Sequence, residues 1–315
     1  MQSTSTVFMM RPTRFTFNPE TAQSNHFQGF VAGADDAAIQ DRAFAEFDGM
    51  VARLREHGVR VLVFEDTPEP HTPDAVFPNN WGSFHPDGRV VLYPMCAPNR
   101  RPERRPDVLA ALARQFAVRE ILDFSGREQT GEFLEGTGSI VFDHVHRVAY
   151  AGLSARTSAG LLQEVCAELG YQAVAFRAYD AQGQEIYHTN VMLCVGAGFA
   201  VVCLESIRHE AERAAVAASL TAAGHELVTI SLEQVSRFAG NMLTLRPAAG
   251  PALLVMSQSA YDALTPAQRH RLSHYATLLP CAIPTIETIG GGSARCMLAE
   301  VFLPSQGAAA DGPTA

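Results

Sequence analysis

Five polar or reactive side chains recur at nearly even intervals in the chain. Asn80, Glu135, His188, Asn241 and Cys296 are separated by 55, 53, 53 and 55 residues. A cysteine, a histidine and a carboxylate brought together are the apparatus of covalent catalysis. A thiolate attacks an electrophilic carbon, and an imidazole moves protons to the leaving group and from water. Each of the five opens a similar local segment: Phe77-Pro-Asn79-Asn80-Trp81, Phe133-Leu-Glu135-Gly-Thr-Gly138, Tyr187-His188-Thr-Asn190, Phe238-Ala-Gly240-Asn241 and Ser293-Ala-Arg-Cys296. Taken singly, each has a plainer reading: a buried thiol, a core histidine, a carboxylate capping loop amides. Their shared register favours the chemical reading. Cys296 stands apart from Cys96, Cys166, Cys194, Cys203 and Cys281 because Gly290-Gly-Gly-Ser-Ala-Arg precedes it. Triple glycine lets backbone approach a ligand, and Arg295 is expected to favour the thiolate.

The elements that must position these residues also repeat. An amphipathic run ends at a glycine and is followed at once by an apolar strand at Gly58, Gly170 and Gly224, with weaker copies at Phe116 to Phe124 and Leu278 to Ile283. Glycine just past a helix takes the left-handed conformation, and the β-branched residues after it favour extended backbone. Thr265-Pro266 is a good start for the last helix. Between each such strand and the next helix lies a pair of strands. The turns fall at Pro86 to Gly88, Asp143 to His146, Gly196 to Gly198 and Pro247 to Pro251. The fifth pair, Ala294 to Leu303, is expected to be closed by Val7 to Met10, joining the two ends of the chain. A period of about 55 residues reads as a repeat architecture, and closure removes free sheet edges.

Composition narrows the function. A net charge of -9 with 18% charged residues leaves no basic stripe for nucleic acid, and no apolar run is long enough to cross a bilayer. All 24 basic residues are arginine. Lysine chemistry of the Schiff-base or P-loop kind is therefore excluded. Cysteines inside apolar segments and no secretory leader imply a cytoplasmic protein. His144 and His146, two apart, could share a strand face and hold a metal, but no third ligand is near in sequence; the expected site contains no metal and no cofactor.

The chain resembles the guanidine-modifying superfamily of arginine deiminases, dimethylarginine dimethylaminohydrolases and amidinotransferases. The resemblance covers nearly the whole chain. It is carried by Leu134-Glu-Gly-Thr-Gly138, Gly152-Leu-Ser-Ala-Arg156-Thr, His188-x-Asn190 and Gly290-Gly-Gly-Ser-Ala-Arg-Cys296. It implies an α/β fold, the five-bladed pseudo-symmetric propeller (pentein) of ββαβ units, with residues 1–304 as one catalytic domain and 305–315 as a disordered tail. It also implies Cys296 as nucleophile, His188 as general acid/base and Glu135 as the carboxylate that orients substrate or histidine.

Two departures from the family pattern bear on substrate. Where members acting on a guanidinium read Asp-x-x-Phe-x-Glu-Asp, this chain reads Asp74-Ala-Val-Phe77-Pro-Asn79-Asn80. Where deiminases carry His-x-Asp, it has His188-Thr-Asn190. Aspartate only accepts hydrogen bonds and suits a guanidinium, whereas asparagine both donates and accepts and suits a neutral ureido group. On this basis the chain looks closest to the citrulline utilisation hydrolases, which release ornithine, ammonia and carbon dioxide. Asn79, Asn80, Asn190, Asn241 and Asp74 are the expected substrate contacts. Arg156, with Arg100 or Arg101 as a weaker choice, would meet the α-carboxylate, and Arg11 would close over the mouth. The expected partner is a small amino acid, and a homodimer is compatible with the sequence. Two rivals are a hydrolase of arginine or methylarginine and a non-catalytic propeller that serves as a docking surface.

Overall fold

Gly170 ends the helix Ala159–Leu169 in the left-handed conformation, at φ 70°, and the strand Gln172–Phe176 starts two residues later. Gly58 and Gly224 take the same conformation at the same place in their units. In each case a crossover helix is delivered onto the strand that follows it. The helices Asp36–Glu56, Pro106–Ala113, Glu210–Ala222 and Pro266–Ser273 precede strands in the same way. Thr265 caps the last of these through a reciprocal pair with Gln268, and Pro266 occupies the first turn.

The computed structural model describes residues 1–29 and 35–307. Within them lie five sheets of three strands with one topology. In the second blade, Gly82–Phe84 runs antiparallel to Arg89–Leu92, which pairs in parallel with Glu120–Asp123. The third blade repeats this with Val141–Asp143, Val148–Gly152 and Gln172–Phe176. The fourth uses Leu193–Val195, Phe199–Val202 and Glu226–Thr229. The fifth uses Leu243–Leu245, Leu253–Ser257 and Thr277–Cys281. The first blade is completed by both ends of the chain: Thr6–Arg11 lies between Ala299–Glu300, antiparallel, and Arg60–Glu65, parallel. The expected ββαβ repeat and its closure are therefore present, in an α/β propeller.

First strands of neighbouring blades touch one another around the axis. Leu193–Val195 meets both Val141–Asp143 and Leu243–Leu245, and Ala299–Glu300 meets Gly82–Phe84. Middle strands are buried along most of their length, with Val90, Val201 and Leu254 fully inaccessible. They read as continuous apolar runs because helices or neighbouring blades cover both faces. The long helix Asp36–Glu56 packs Phe47, Met50 and Leu54 into the core of the first and fifth blades. Expected turns between paired strands fall where the sequence placed them. The first residues of the expected tail are paired: Ser305 bridges Phe116, and the Gln306 N–H reaches the Gln115 carbonyl at 3.0 Å. Residues 308–315 of the expected tail lie outside the described residues.

Candidate active site

The five residues of the shared register all stand in the short turns that lead into the first strand of a blade. Asn80 ends the turn Pro78–Asn80, Glu135 precedes Gly136–Ser139, and His188 precedes Thr189–Val191. Asn241 and Cys296 occupy the matching places ahead of Leu243–Leu245 and Ala299–Glu300. Because first strands ring the axis, these turns converge, and all five side chains are buried.

They form two contacting groups. In one, His188 Nε2 meets Glu135 Oε2 at 2.7 Å, and Asn80 Nδ2 lies 3.3 Å from His188 Nδ1. Glu135 Oε1 accepts the Cys96 peptide N–H at 2.9 Å, and Arg156 Nη1 is 3.5 Å from Oε2. Burial would raise the Glu135 carboxyl, but the Arg156 guanidinium and the His188 hydrogen bond hold it well below the usual carboxylate range. Burial pushes His188 down to about 4 despite the opposing pull of Glu135. At neutral pH this imidazole is uncharged. With Nε2–H donating to the carboxylate, Nδ1 carries the lone pair that can take a proton.

In the other group, Cys296 Sγ has Asn241 Nδ2 at 3.3 Å and Asn190 Nδ2 at 3.6 Å. Asn241 is itself fixed: its Oδ1 accepts the Arg295 N–H at 3.0 Å, and its Nδ2 also donates to the Asn190 carbonyl at 3.1 Å. Asn241 Oδ1 also lies 3.7 Å from the sulfur, so this amide turns both of its ends to Cys296. Arg295, expected to favour the thiolate, is engaged elsewhere. Its guanidinium turns the other way, to the Leu298 carbonyl at 2.9 Å and Glu300 Oε2 at 2.9 Å.

Cys296 and His188 both line a cavity with about 250 Å³ of empty space, together with Asn80, Asp74, Arg100, Arg156, Tyr187, Phe77, Asn25 and the Gly290 to Gly292 loop. Asp74 Oδ2 accepts Asn18 Nδ2 at 2.8 Å and Thr21 Oγ1 at 3.0 Å, while buried Oδ1 has no partner. Arg100 is bound through Nε and Nη2 to Glu103 at 2.9 and 2.8 Å, so most of the fork expected for a carboxylate is already engaged. Arg156 donates to Ser24 Oγ and to the Thr21 carbonyl, and its guanidinium lies over the Tyr187 ring at 4.8 Å.

Several expectations change. Asn79 is buried but not on the cavity wall, and neither of its amide atoms has a partner. Asn190 and Asn241 touch the sulfur and are likewise absent from the wall. Arg101 pairs with Glu128 at 3.3 Å, and Arg11 pairs with Asp48 at 2.9 Å beside Phe44, so neither is on the wall. Sequence reasoning missed the contribution of the segment Asn18 to Asn25, which carries no periodicity. It also missed Tyr187, whose hydroxyl joins Asn25 Nδ2 on the Gly291 carbonyl at 2.8 and 3.0 Å. Tyr187 was visible as the neighbour of His188 but reads as core.

A five-bladed propeller with a thiol, an imidazole and a buried carboxylate at matched turns defines a guanidine-modifying hydrolase of C–N bonds other than peptide bonds. A family model described as "N,N dimethylarginine dimethylhydrolase, eukaryotic" matches residues 11–303, and the chain belongs to that family. No curated protein sequence matches it significantly. Among solved structures it is similar to the substrate-bound N-terminal domain of ArgZ, an arginine dihydrolase from the ornithine-ammonia cycle in Cyanobacteria. The TM-score is 0.72 and identity 16%, over 95% of this chain and 98% of that one. A complex of an AgrE mutant with L-arginine gives 0.73 and 17%, over 96% of this chain but 41% of AgrE. A dimethylarginine dimethylaminohydrolase adduct gives 0.60 and 13%, over 95% and 100%. At these identities the structural likeness is one of fold. Among the described residues no helix is long and apolar enough to cross a membrane.

Proposed function

We propose that the chain cleaves the ureido group of citrulline to ornithine, ammonia and carbon dioxide, with residues 1–304 as the single catalytic domain of a cytoplasmic enzyme. The observation that carries this is the inventory of acids. Asp74 is the one carboxylate on the cavity wall, and Glu135 behind it is already engaged by His188, Arg156 and the Cys96 amide. Apart from Asp74, no carboxylate among the described residues lines the cavity, so a reacting group out of reach of Asp74 meets no free acid. A guanidinium placed there would be a buried charge without a partner, which costs several kcal/mol, about 3–5 where such pairs are broken. A neutral ureido group carries no such penalty. The unpartnered Asp74 Oδ1 suits an α-ammonium, and Arg156 rather than the engaged Arg100 is the candidate for the α-carboxylate.

In this reading the Cys296 thiol gives its proton to His188 and attacks the ureido carbon. The C–N bond to the ornithine side chain breaks, and His188 returns the proton to the departing amine. The carbamoyl thioester is then hydrolysed: water, deprotonated by His188, adds to the carbonyl, and the thiol leaves with carbamate, which falls to ammonia and carbon dioxide. The Gly291 N–H is bound to the Glu287 carbonyl, so the peptide N–H groups of Gly292 and Ser293 are the candidates to stabilise the oxyanion, and Asn80 holds the ureido group beside His188.

The family and the arginine-acting fold relatives favour a second reading, a hydrolase of arginine or methylarginine with Asp74 binding the guanidinium. Substrate profiling separates the two. Ornithine and ammonia should appear from citrulline, with turnover reduced at least about 10³-fold in Cys296→Ser. Turnover of arginine or methylarginine with none of citrulline sinks the first reading and establishes the second.

A further inference from the structure

Away from the active-site cavity, two histidines and an aspartate from neighbouring blades meet. Asp143 ends the first strand of the third blade, and His146 stands in the turn that follows. His225 lies in the fourth blade, between helix Glu210–Ala222 and strand Glu226–Thr229. Asp143 Oδ2 has His146 Nδ1 at 2.8 Å and His225 Nε2 at 2.7 Å, with the imidazole rings nearly perpendicular and 5.4 Å apart. One donor atom from each of the three lies within 4.8 Å of the other two. The pair suggested by sequence spacing, His144 with His146, is not the one that forms. His144 Nδ1 bonds the Tyr171 hydroxyl at 2.7 Å and its ring stacks on Phe142.

We propose that Asp143, His146 and His225 bind a divalent transition metal of the zinc class, which clips the third blade to the fourth. Two imidazoles and a carboxylate are the ligand types that zinc takes, and the fourth position is filled by water in such three-ligand sites. Asp143 and His225 are buried while His146 is exposed, so one side stays open to that water. The carboxylate is oriented before any metal arrives, because Oδ1 accepts the His146 peptide N–H at 3.0 Å. The His225 ring makes no other hydrogen bond among the described residues, since its Nδ1 is buried without a partner. Its ring therefore addresses this cluster alone. The adjacent Arg147 does not oppose a cation: its guanidinium reaches back to the Leu169 and Gly170 carbonyls, over the Tyr171 ring.

Metal–ligand distances of about 2.0–2.1 Å in a tetrahedron place ligand atoms about 3.4 Å apart. The two short contacts open slightly to reach this, and the exposed His146 is the residue free to swing. Each imidazole coordinates through a deprotonated nitrogen, so binding displaces the protons now shared with Asp143. No residue of the cluster is on the active-site wall. The ion thus lies off the active-site wall and cross-links two blades.

The test uses the full chain, stripped with a chelator and titrated with Zn²⁺ by calorimetry and with Co²⁺ by visible absorption. One equivalent should bind with a tetrahedral cobalt spectrum, and Tm should rise saturably with Zn²⁺. His146→Gln, at an exposed position, should fold as the parent does, bind at least roughly tenfold more weakly and lose the Tm response. Cys296→Ser should bind as the parent does. Three results overturn the proposal: no zinc bound at roughly 100 µM, where structural zinc sites are saturated; unchanged affinity in His146→Gln; or binding lost in Cys296→Ser, which places the metal at the thiol.

Discussion

At the scale of single residues, the protein separates two tasks that one charged side chain often combines. The sulfur of Cys296 is met by the amides of Asn241 and Asn190, while the Arg295 guanidinium is spent on Glu300. His188 is kept neutral by burial and kept in one tautomer by Glu135. This has a consequence for pH. A histidine lowered to about 4 stays uncharged until well below its ordinary value of 6.5, and only then loses the lone pair on Nδ1. The acid limb of kcat/KM, which reports the free enzyme, should therefore fall near pH 4, with activity nearly unchanged from pH 7 to 5. An acid limb at 6 to 6.5 would show that His188 is not held as its surroundings require. The same depression adds stability that is complete above pH 6.5 and is lost as pH falls toward 4.

At the scale of elements, the turns that carry the site are as constrained as the side chains they present. Gly138 sits one turn beyond Glu135, where a Cβ would stand 2.7 Å from both Asn80 Nδ2 and His188 Nδ1. Gly138→Ala should therefore push these groups apart. A displacement of about 1 Å costs on the order of 10² in rate, and overpacking costs about 1–3 kcal/mol in stability. Gly126→Ala, with nothing within 4 Å of its added carbon, is the matched control. Steady-state rates and melting curves for the two decide it, and a Gly138→Ala enzyme of parental activity contradicts the tight turn. The repeat was legible in sequence because each blade must solve the same local problem: a helix stop, a buried strand and a polar residue at the inner turn. Asn80, Glu135, His188, Asn241 and Cys296 could be aligned on that grammar alone. The directions of Arg295 and Asn190, and the addition of Asn25 to the wall beside the expected Asp74, could not. Side-chain direction at a turn is set by packing across blades, and an irregular segment has no period to read.

At the scale of the whole molecule, closure is what makes five weak units one structure, and the start of the chain is its fastening. Strand Thr6–Arg11 is the middle strand of the first blade, and the residues ahead of it reach further. Thr4 Oγ1 donates to the Val301 carbonyl at 2.7 Å, and the Thr4 carbonyl accepts the Arg246 N–H at 2.9 Å. Gln2 Nε2 donates to the carbonyls of Phe142 and Val195 at 2.9 and 3.2 Å, and its Oε1 accepts the His144 N–H at 2.8 Å. Two residues thus tie together the first, third, fourth and fifth blades. Gln2 lines a second cavity with Arg295 and Glu300, and that cavity shares no residue with the active-site wall. Gln2→Ala removes all three bonds and leaves two carbonyls and one N–H unpaired in a buried place. The expected loss is about 1–3 kcal/mol, seen as a fall of a few degrees in Tm, with kcat/KM of the folded enzyme unchanged. An unchanged Tm means that water replaces the amide and that strand pairing alone closes the ring. A fall in kcat/KM without a fall in Tm means that Gln2 acts on the site through Arg295, and the two cavities are then coupled rather than separate.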